Sequence, residues 1–182
     1  MLQKFYKFIF FKLLRWRMIG ELPRDIDKYL FVGIPHTSNW DFIYGWIASR
    51  ALGLKLTFFV KDVFCKGPLI CLCRYFGASP VNRRERTNFV DEVARQFSEN
   101  EKLVVLLTPE GTRKYTPTLK SGYYYLAKAA NVPIVLVGPN FIEKTITFAP
   151  PRLAMDSFEE DEAALIAFSK KMHGKHPESS YK

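Results

Sequence analysis

Hydrophobic runs alternate with amphipathic segments along most of the chain. Short apolar runs bounded by turn residues are typical of buried strands, and they lie at 29–34, 55–60, 78–81, 102–108 and 132–137. Helical periodicity predicts helices at 41–52, 68–76, 88–99, 119–130 and 158–172. Residues 142–150 are predicted to pair as an edge hairpin strand. This alternation predicts a single α/β domain, in which helices flank a mostly parallel sheet.

The first 22 residues combine aromatic side chains with spaced positive charges. Lys4, Lys7, Lys12 and Arg15 fall on one arc of a helix, and apolar residues cover much of the rest. The longest charge-free run is far shorter than the ~20 residues that a membrane span needs. Such a helix can lie in the headgroup region of a membrane, or it can pack on its own domain. Its wide apolar surface favours the membrane, so 1–22 is interpreted as an amphipathic membrane-interface helix and 23–182 as the folded domain.

The composition favours a negatively charged partner. There are 27 Lys and Arg residues against 18 Asp and Glu residues, which gives a net charge of +9. A phospholipid surface, a phosphorylated substrate or a nucleic acid would suit this charge. The 16 Phe and nine Tyr residues fit a membrane interface better than a duplex groove, so nucleic acid is not expected. Because no secretory signal is convincing, the expected location is cytoplasmic, peripheral on the inner face of the cell membrane.

A histidine and an aspartate lie at the turn between the strand 29–34 and the helix that follows it. In one interpretation Ser38 caps this helix, and Asp41 completes a capping box. In the other, Asp41 holds one ring nitrogen of His36, and the second nitrogen is free to take a proton from a hydroxyl or thiol. The two interpretations are compatible, because a carboxylate has two oxygens. Turns of this kind are where open α/β sheets usually bind their ligands.

A second turn follows the strand 102–108 and has the sequence Glu-Gly-Thr-Arg at 110–113. His-x4-Asp followed by Glu-Gly-Thr-Arg resembles the glycerolipid acyltransferase family, whose best-known members are 1-acylglycerol-3-phosphate acyltransferases. Segments 77–83, 119–122 and 132–135 resemble further blocks of that family in the same order. The resemblance covers roughly residues 28–150. Pro35 and Asn82 depart from the family pattern, where asparagine and an acidic residue respectively are common.

The resemblance implies an acyltransferase of phospholipid biosynthesis. It would move a fatty acyl group from an acyl-CoA or acyl carrier protein thioester to the hydroxyl of a lysophospholipid or glycerol-phosphate-like acceptor. His36 would be the general base and Asp41 its orienting partner. The implied acceptor-binding residues are Arg83, Glu110, Gly111, Thr112 and Arg113. No cofactor and no metal are expected, because one histidine and one aspartate are too few ligands and the reaction needs no metal.

Several alternatives remain open. Glu110 could be a structural partner of Arg113 or of a backbone amide. His173 and His176 lie in a polar tail, where we expect them to be solvated, and the last ten residues are expected to be frayed.

A thioester or lipid hydrolase would be expected to show a nucleophile, and no Gly-x-Ser-x-Gly elbow is present. A non-catalytic basic module that binds a membrane surface or nucleic acid would not need His36 and Asp41 together.

Overall fold

The structure is a computed structural model, and it describes residues 1–61, 67, 69–81 and 86–181. Within these residues one sheet contains the strands β1 (Arg17–Ile19), β2 (Lys28–Gly33), β3 (Leu56–Lys61), β4 (Ala78–Val81), β5 (Leu103–Leu107), β6 (Ile134–Asn140) and β7 (Thr145–Phe148). The helices are α1 (Leu2–Lys7), which continues as a π-helical stretch over Phe8–Leu13, α2 (Asn39–Leu52), α3 (Leu69–Phe76), α4 (Arg86–Glu99), α5 (Gly122–Ala130) and α6 (Phe158–Ser169). A short 3-10 helix follows at Pro177–Ser179.

The strand order across the sheet is β1-β7-β6-β2-β5-β3-β4. Strands β6, β2, β5, β3 and β4 pair in parallel with one another in this order, whereas β7 is antiparallel to β6. The chain is therefore a single α/β domain with a mostly parallel sheet flanked by helices, as predicted. The carboxyl ends of the five parallel strands share one edge of the sheet. The turn after β2 lies next to the turn after β5, because these two strands are neighbours.

Strand β2 is buried on both faces of the sheet. Leu30 and Val32 belong to the core on the side of α4, α5 and α6, and Tyr29 and Phe31 belong to the core on the side of α1 and α2. All four side chains are at most 3% exposed. Burial on both faces explains why this strand is a continuous apolar run rather than an alternating one.

The N-terminal segment contains a helix, as expected, but the helix is shorter than the predicted 1–22. It ends at Leu13, and Arg17–Ile19 form the edge strand β1, which pairs in parallel with β7. Strand β7 is consequently not at the edge of the sheet. Tyr6, Phe10 and Trp16 are buried, whereas Leu2, Phe5, Phe8 and Leu13 are exposed. One face of the segment therefore packs on the domain, and the other faces outward. Among the described residues no helix is both long and apolar enough to cross a membrane.

The C-terminal residues also differ from expectation. Helix α6 ends at Ser169, and the segment that follows it makes contacts with the domain at His173, Gly174 and His176. The His173 carbonyl accepts the Phe141 N–H at 2.9 Å, and His173 forms a parallel β-bridge with Asn140, the last residue of β6. The prediction of a frayed tail is therefore wrong at residues 173–176, because the His173 carbonyl and the His176 N–H have partners in the domain. The side chains of His173 and His176 are exposed, as expected.

Candidate active site

The turn between β2 and α2 is organised by a helix cap. Ser38 is the N-cap of α2, and its Oγ accepts the Trp40 N–H at 3.2 Å. Asp41 lies at the third helical position, where its Oδ2 accepts the backbone N–H groups of Thr37 at 2.7 Å and Ser38 at 2.8 Å. The predicted capping box is present. These bonds satisfy amide groups at a helix start that would otherwise lack partners.

The same carboxylate oxygen contacts the histidine. His36 Nδ1 lies 3.2 Å from Asp41 Oδ2. The side chain of His36 is 24% exposed and that of Asp41 is 8% exposed. Among the described residues the His36 ring forms a hydrogen bond only through Nδ1, so Nε2 has no partner there. The buried Asp41 Oδ1 has none either. The pair therefore has a shielded carboxylate, an oriented ring and one ring nitrogen that remains available to a ligand.

Glu110 holds the backbone of His36 rather than facing solvent. It is 2% exposed, and its Oε2 accepts the His36 N–H at 2.5 Å. Burial raises the pKa of Glu110, and the backbone N–H and ring of His36, together with the backbone N–H of Tyr181, act in the opposite direction. This geometry favours the alternative in which Glu110 is the partner of a backbone amide. Glu110 joins the turn after β5 to the turn after β2.

The rest of the Glu-Gly-Thr-Arg turn is exposed. Gly111 has a φ of +63°, a conformation that favours glycine. Thr112 Oγ1 accepts the Lys114 N–H at 3.2 Å. The Arg113 guanidinium donates to Asn39 Oδ1 at the first residue of α2. Arg113 is thereby brought to the same helix start as Asp41.

Arg83, the remaining predicted acceptor-binding residue, lies outside the described residues. Two contributors to the turn were not predicted from the sequence: Asn39, the partner of Arg113, and Thr37, whose Oγ1 accepts the His176 N–H. Their position within the His-x4-Asp turn was the one sequence signal that could have identified them. Both contacts join residues far apart in the chain, so local patterns do not predict them.

Two cavities differ in their relation to this site. Asp41 borders a small cavity of about 30 Å³, whose other walls are Phe42, Gly45, Trp46, Leu56, Phe58, Phe76 and Leu106. A larger open cleft of about 520 Å³ lies near the amino ends of β2 and β5 and is lined in part by Asp25, Lys28 and Glu101. None of the predicted site residues that the structure describes lines the large cleft. Open α/β sheets bind ligands at the carboxyl ends of their strands, which is where His36 lies.

Comparison with known proteins agrees with this arrangement. The family model described as Acyltransferase matches residues 21–138, a range that contains both turns. The chain belongs to this acyltransferase family, and the family resemblance predicted from its motifs is confirmed.

A solved structure shows the same fold. The crystal structure of the 1-acyl-sn-glycerophosphate (LPA) acyltransferase PlsC from Thermotoga maritima has a TM-score of 0.61 to this chain at 20% sequence identity. The similarity covers 93% of this chain and 76% of that one. No curated protein matches the sequence significantly.

Proposed function

We propose that this acyltransferase moves a fatty acyl group from an acyl thioester to the hydroxyl of a lysophospholipid or glycerol-phosphate-like acceptor. The thioester would be carried by coenzyme A or by acyl carrier protein. The observation that carries the proposal is the His36–Asp41 pair, in which His36 Nδ1 lies 3.2 Å from Asp41 Oδ2. His36 Nε2 is left available to accept a proton, at the carboxyl ends of the strands. The fold shared with an LPA acyltransferase supports the choice of a glycerolipid acceptor.

In the proposed reaction His36 is the general base. Its Nε2 takes the proton of the acceptor hydroxyl while the oxygen attacks the thioester carbonyl. The tetrahedral intermediate then expels the thiolate, which receives the proton from the imidazolium. The products are an oxygen ester and a free thiol. Asp41 keeps the ring in the tautomer with a proton on Nδ1, and its charge stabilises the imidazolium that forms during the reaction.

Arg113 is proposed to bind the anionic end of the acceptor. It is exposed, and its hydrogen bond to Asn39 holds it at the start of α2. A guanidinium can bind a phosphate through two parallel hydrogen bonds, and the positive end of a helix dipole favours an anion at the same place. Arg83 is proposed to assist, as the family resemblance implies.

The acceptor role of Arg113 can be tested with two charge-matched substitutions. Arg113→Gln and Lys114→Gln each remove one exposed positive charge from the same turn. We expect Arg113→Gln to raise the KM for the acceptor more than the KM for the thioester, and Lys114→Gln to change both only slightly. Equal increases in the two KM values for Arg113→Gln would instead indicate a folding role.

The protein is also proposed to dock on an anionic membrane surface through the outer face of its N-terminal helix. The exposed apolar side chains of this face are Leu2, Phe5, Phe8 and Leu13, and the exposed cations are Lys4, Lys7 and Lys12. Aromatic insertion with basic flanks is typical of helices that lie in the headgroup region. Each cation near the surface would contribute about 1 kcal/mol, and salt would screen this contribution. The proposed location is therefore peripheral, on the cytoplasmic face of the cell membrane.

Substitution tests docking better than deletion, because deleting the segment would also remove Tyr6, Phe10 and Trp16 from the core. The double variant Phe5→Ser/Phe8→Ser should bind vesicles of phosphatidylcholine and phosphatidylglycerol more weakly than the wild type does. Tyr125→Ser is a matched control, because Tyr125 is 56% exposed and Phe5 is 57% exposed. Equal binding by all three proteins would contradict the docking surface.

The reaction is tested by a screen of donors and acceptors. The purified protein is incubated with radiolabelled acyl-CoA or acyl carrier protein thioesters and with lysophosphatidic acid, other lysophospholipids or glycerol phosphate. We expect an acceptor-dependent ester product and a loss of about 10²–10⁴-fold in turnover for a folded His36→Ala variant. Free fatty acid formed without an acceptor would point to a hydrolase, and a folded His36→Ala variant of near wild-type rate would exclude His36 as the base.

A further inference from the structure

The segment after α6 crosses the carboxyl edge of the sheet and reaches the catalytic turn. We name residues 172–181 the C-terminal strap. It begins beside β6, where Asn140 Nδ2 lies 3.2 Å from His173 Nδ1 and the His173 carbonyl accepts the Phe141 N–H. These contacts fix its starting point next to the strand that neighbours β2.

The strap then contacts Thr37, the residue that follows His36. Gly174 is buried there, and a Cβ on it would lie 2.7 Å from both Oγ1 and Cγ2 of Thr37. The backbone of the strap can therefore approach this closely because residue 174 has no side chain. Two residues later, the His176 N–H donates to Thr37 Oγ1 at 3.2 Å.

Two more contacts surround the same turn. Lys175 Nζ lies 4.5 Å from the ring centroid of Trp40, in the first turn of α2. At the end of the strap, the backbone N–H of Tyr181 lies near enough to Glu110 to lower the pKa of its carboxyl, and this carboxyl accepts the His36 N–H. The strap thus contacts Thr37 and Trp40 on the side of α2. Its last described residue approaches Glu110 on the side of β5.

We propose that the C-terminal strap belongs to the active site and positions His36 by holding Thr37 and Glu110 against the sheet. The inference rests on the proposed function for its effect on catalysis. The residues of the strap are positioning residues, since they act through Thr37 and Glu110. A displacement of about 1 Å at a reacting group can cost about 10²-fold in rate, so a held backbone at residues 36–38 would matter for turnover.

The test is the substitution Gly174→Ala, compared with Gly122→Ala. The added methyl group would meet Thr37 in the first variant, whereas a Cβ at Gly122 meets nothing within 4 Å. We expect Gly174→Ala to lower kcat at least about tenfold while both KM values stay within about twofold of the wild type. A second variant that ends after His173 should show the same separation of kcat from KM.

Amide hydrogen exchange of residues 36–41 supplies a measurement that does not depend on activity. In Gly174→Ala and in the shortened variant, exchange should accelerate in this segment relative to β2 and β6, and in Gly122→Ala it should not. Unchanged exchange, an unchanged kcat, or equal acceleration over the whole chain would each overturn the positioning role. A wild-type protein without acyl transfer would refute the proposed function instead, and the exchange pattern would still decide whether the strap holds the turn.

Discussion

Replacing Asp41 with asparagine separates the two roles of this side chain. The amide oxygen can take the place of Oδ2, which accepts the N–H groups of Thr37 and Ser38 and contacts His36 Nδ1. The opposite orientation would direct the amide NH₂ at two backbone donors and is therefore disfavoured. The helix cap and the tautomer of His36 should both be retained. The negative charge is lost, and the amide NH₂ occupies the site of Oδ1, which is buried without a partner among the described residues.

The two losses have different magnitudes. An unpaired buried NH₂ should cost about 1–3 kcal/mol of folding stability. For a charge pair about 4 Å apart, an effective dielectric constant of about 20 gives about 4 kcal/mol, which sets an upper limit on the lost stabilisation of the imidazolium. Since about 1.4 kcal/mol corresponds to tenfold in rate, kcat should fall by about 10²–10³-fold.

The assay combines urea denaturation with steady-state kinetics well below the melting temperature. Asp91→Asn is a suitable control, because it makes the same chemical change at an exposed position of α4. A folded Asp41→Asn protein that keeps kcat within about threefold of the wild type would refute the reasoning about the imidazolium. A protein that fails to fold would refute the reasoning about the cap, because the amide oxygen was expected to preserve it.

Three further predictions concern stability. Gly45→Ala should stabilise the protein by about 0.5–1 kcal/mol in urea denaturation, because Gly45 lies within α2 and an added Cβ meets nothing within 4 Å; a loss of stability would show that this position is crowded. Asp161→Ala should lower the free energy of unfolding by about 3–5 kcal/mol in the same assay, since it removes a fully buried carboxylate that is 2.8 Å from Arg152 Nη1. A decrease below about 1 kcal/mol would contradict this prediction. Burial raises the pKa of Glu110, so between about pH 4.5 and the raised pKa the folded protein keeps a proton on this carboxyl that the unfolded chain releases. The free energy of unfolding should therefore fall as the pH rises through this range. Glu110→Gln should remove this slope in melting curves recorded across that range, and an unchanged slope would assign it to another group.

Local patterns predict the parts of this fold that depend on neighbouring residues. Strand β2 is apolar along its length because both of its faces are buried, and Gly53 ends α2 in the left-handed conformation that glycine favours. The capping box and the His36–Asp41 contact were both predictable, because each needs only the spacing within one turn. The type and position of these elements therefore follow from short stretches of sequence.

Other features depend on which elements are neighbours in space, and the sequence does not reveal them. Strand β1 has only three residues, and its partner β7 lies near the other end of the chain. Glu110 was predicted as a site residue, but its contact with the His36 amide follows from the pairing of β5 with β2. The path of the C-terminal strap is similarly set by contacts with Thr37 and Asn140, which no periodic pattern indicates.

The packing of the N-terminal segment along α2 links the outer surface to the site. Gln3 Nε2 donates to the carbonyl of Ala51 at 3.3 Å, near the end of α2. Trp16 stacks on Tyr44, in the first half of α2, with ring centroids 4.8 Å apart. The segment therefore runs antiparallel to α2, and its later residues approach the helix end that begins at the catalytic turn.

Helix α2 has 14 residues and is therefore about 21 Å long, and His36 lies two residues before its N-cap, Ser38. The outward-facing side chains of α1 and the imidazole are thus attached to the same pair of packed helices. A protein bound to a bilayer through Phe5 and Phe8 would hold α2 at a fixed tilt and His36 at a fixed height above the lipid headgroups. The direction from which a lipid hydroxyl reaches Nε2 would then be determined by the angle between two helices, and a soluble acceptor would approach without that restriction.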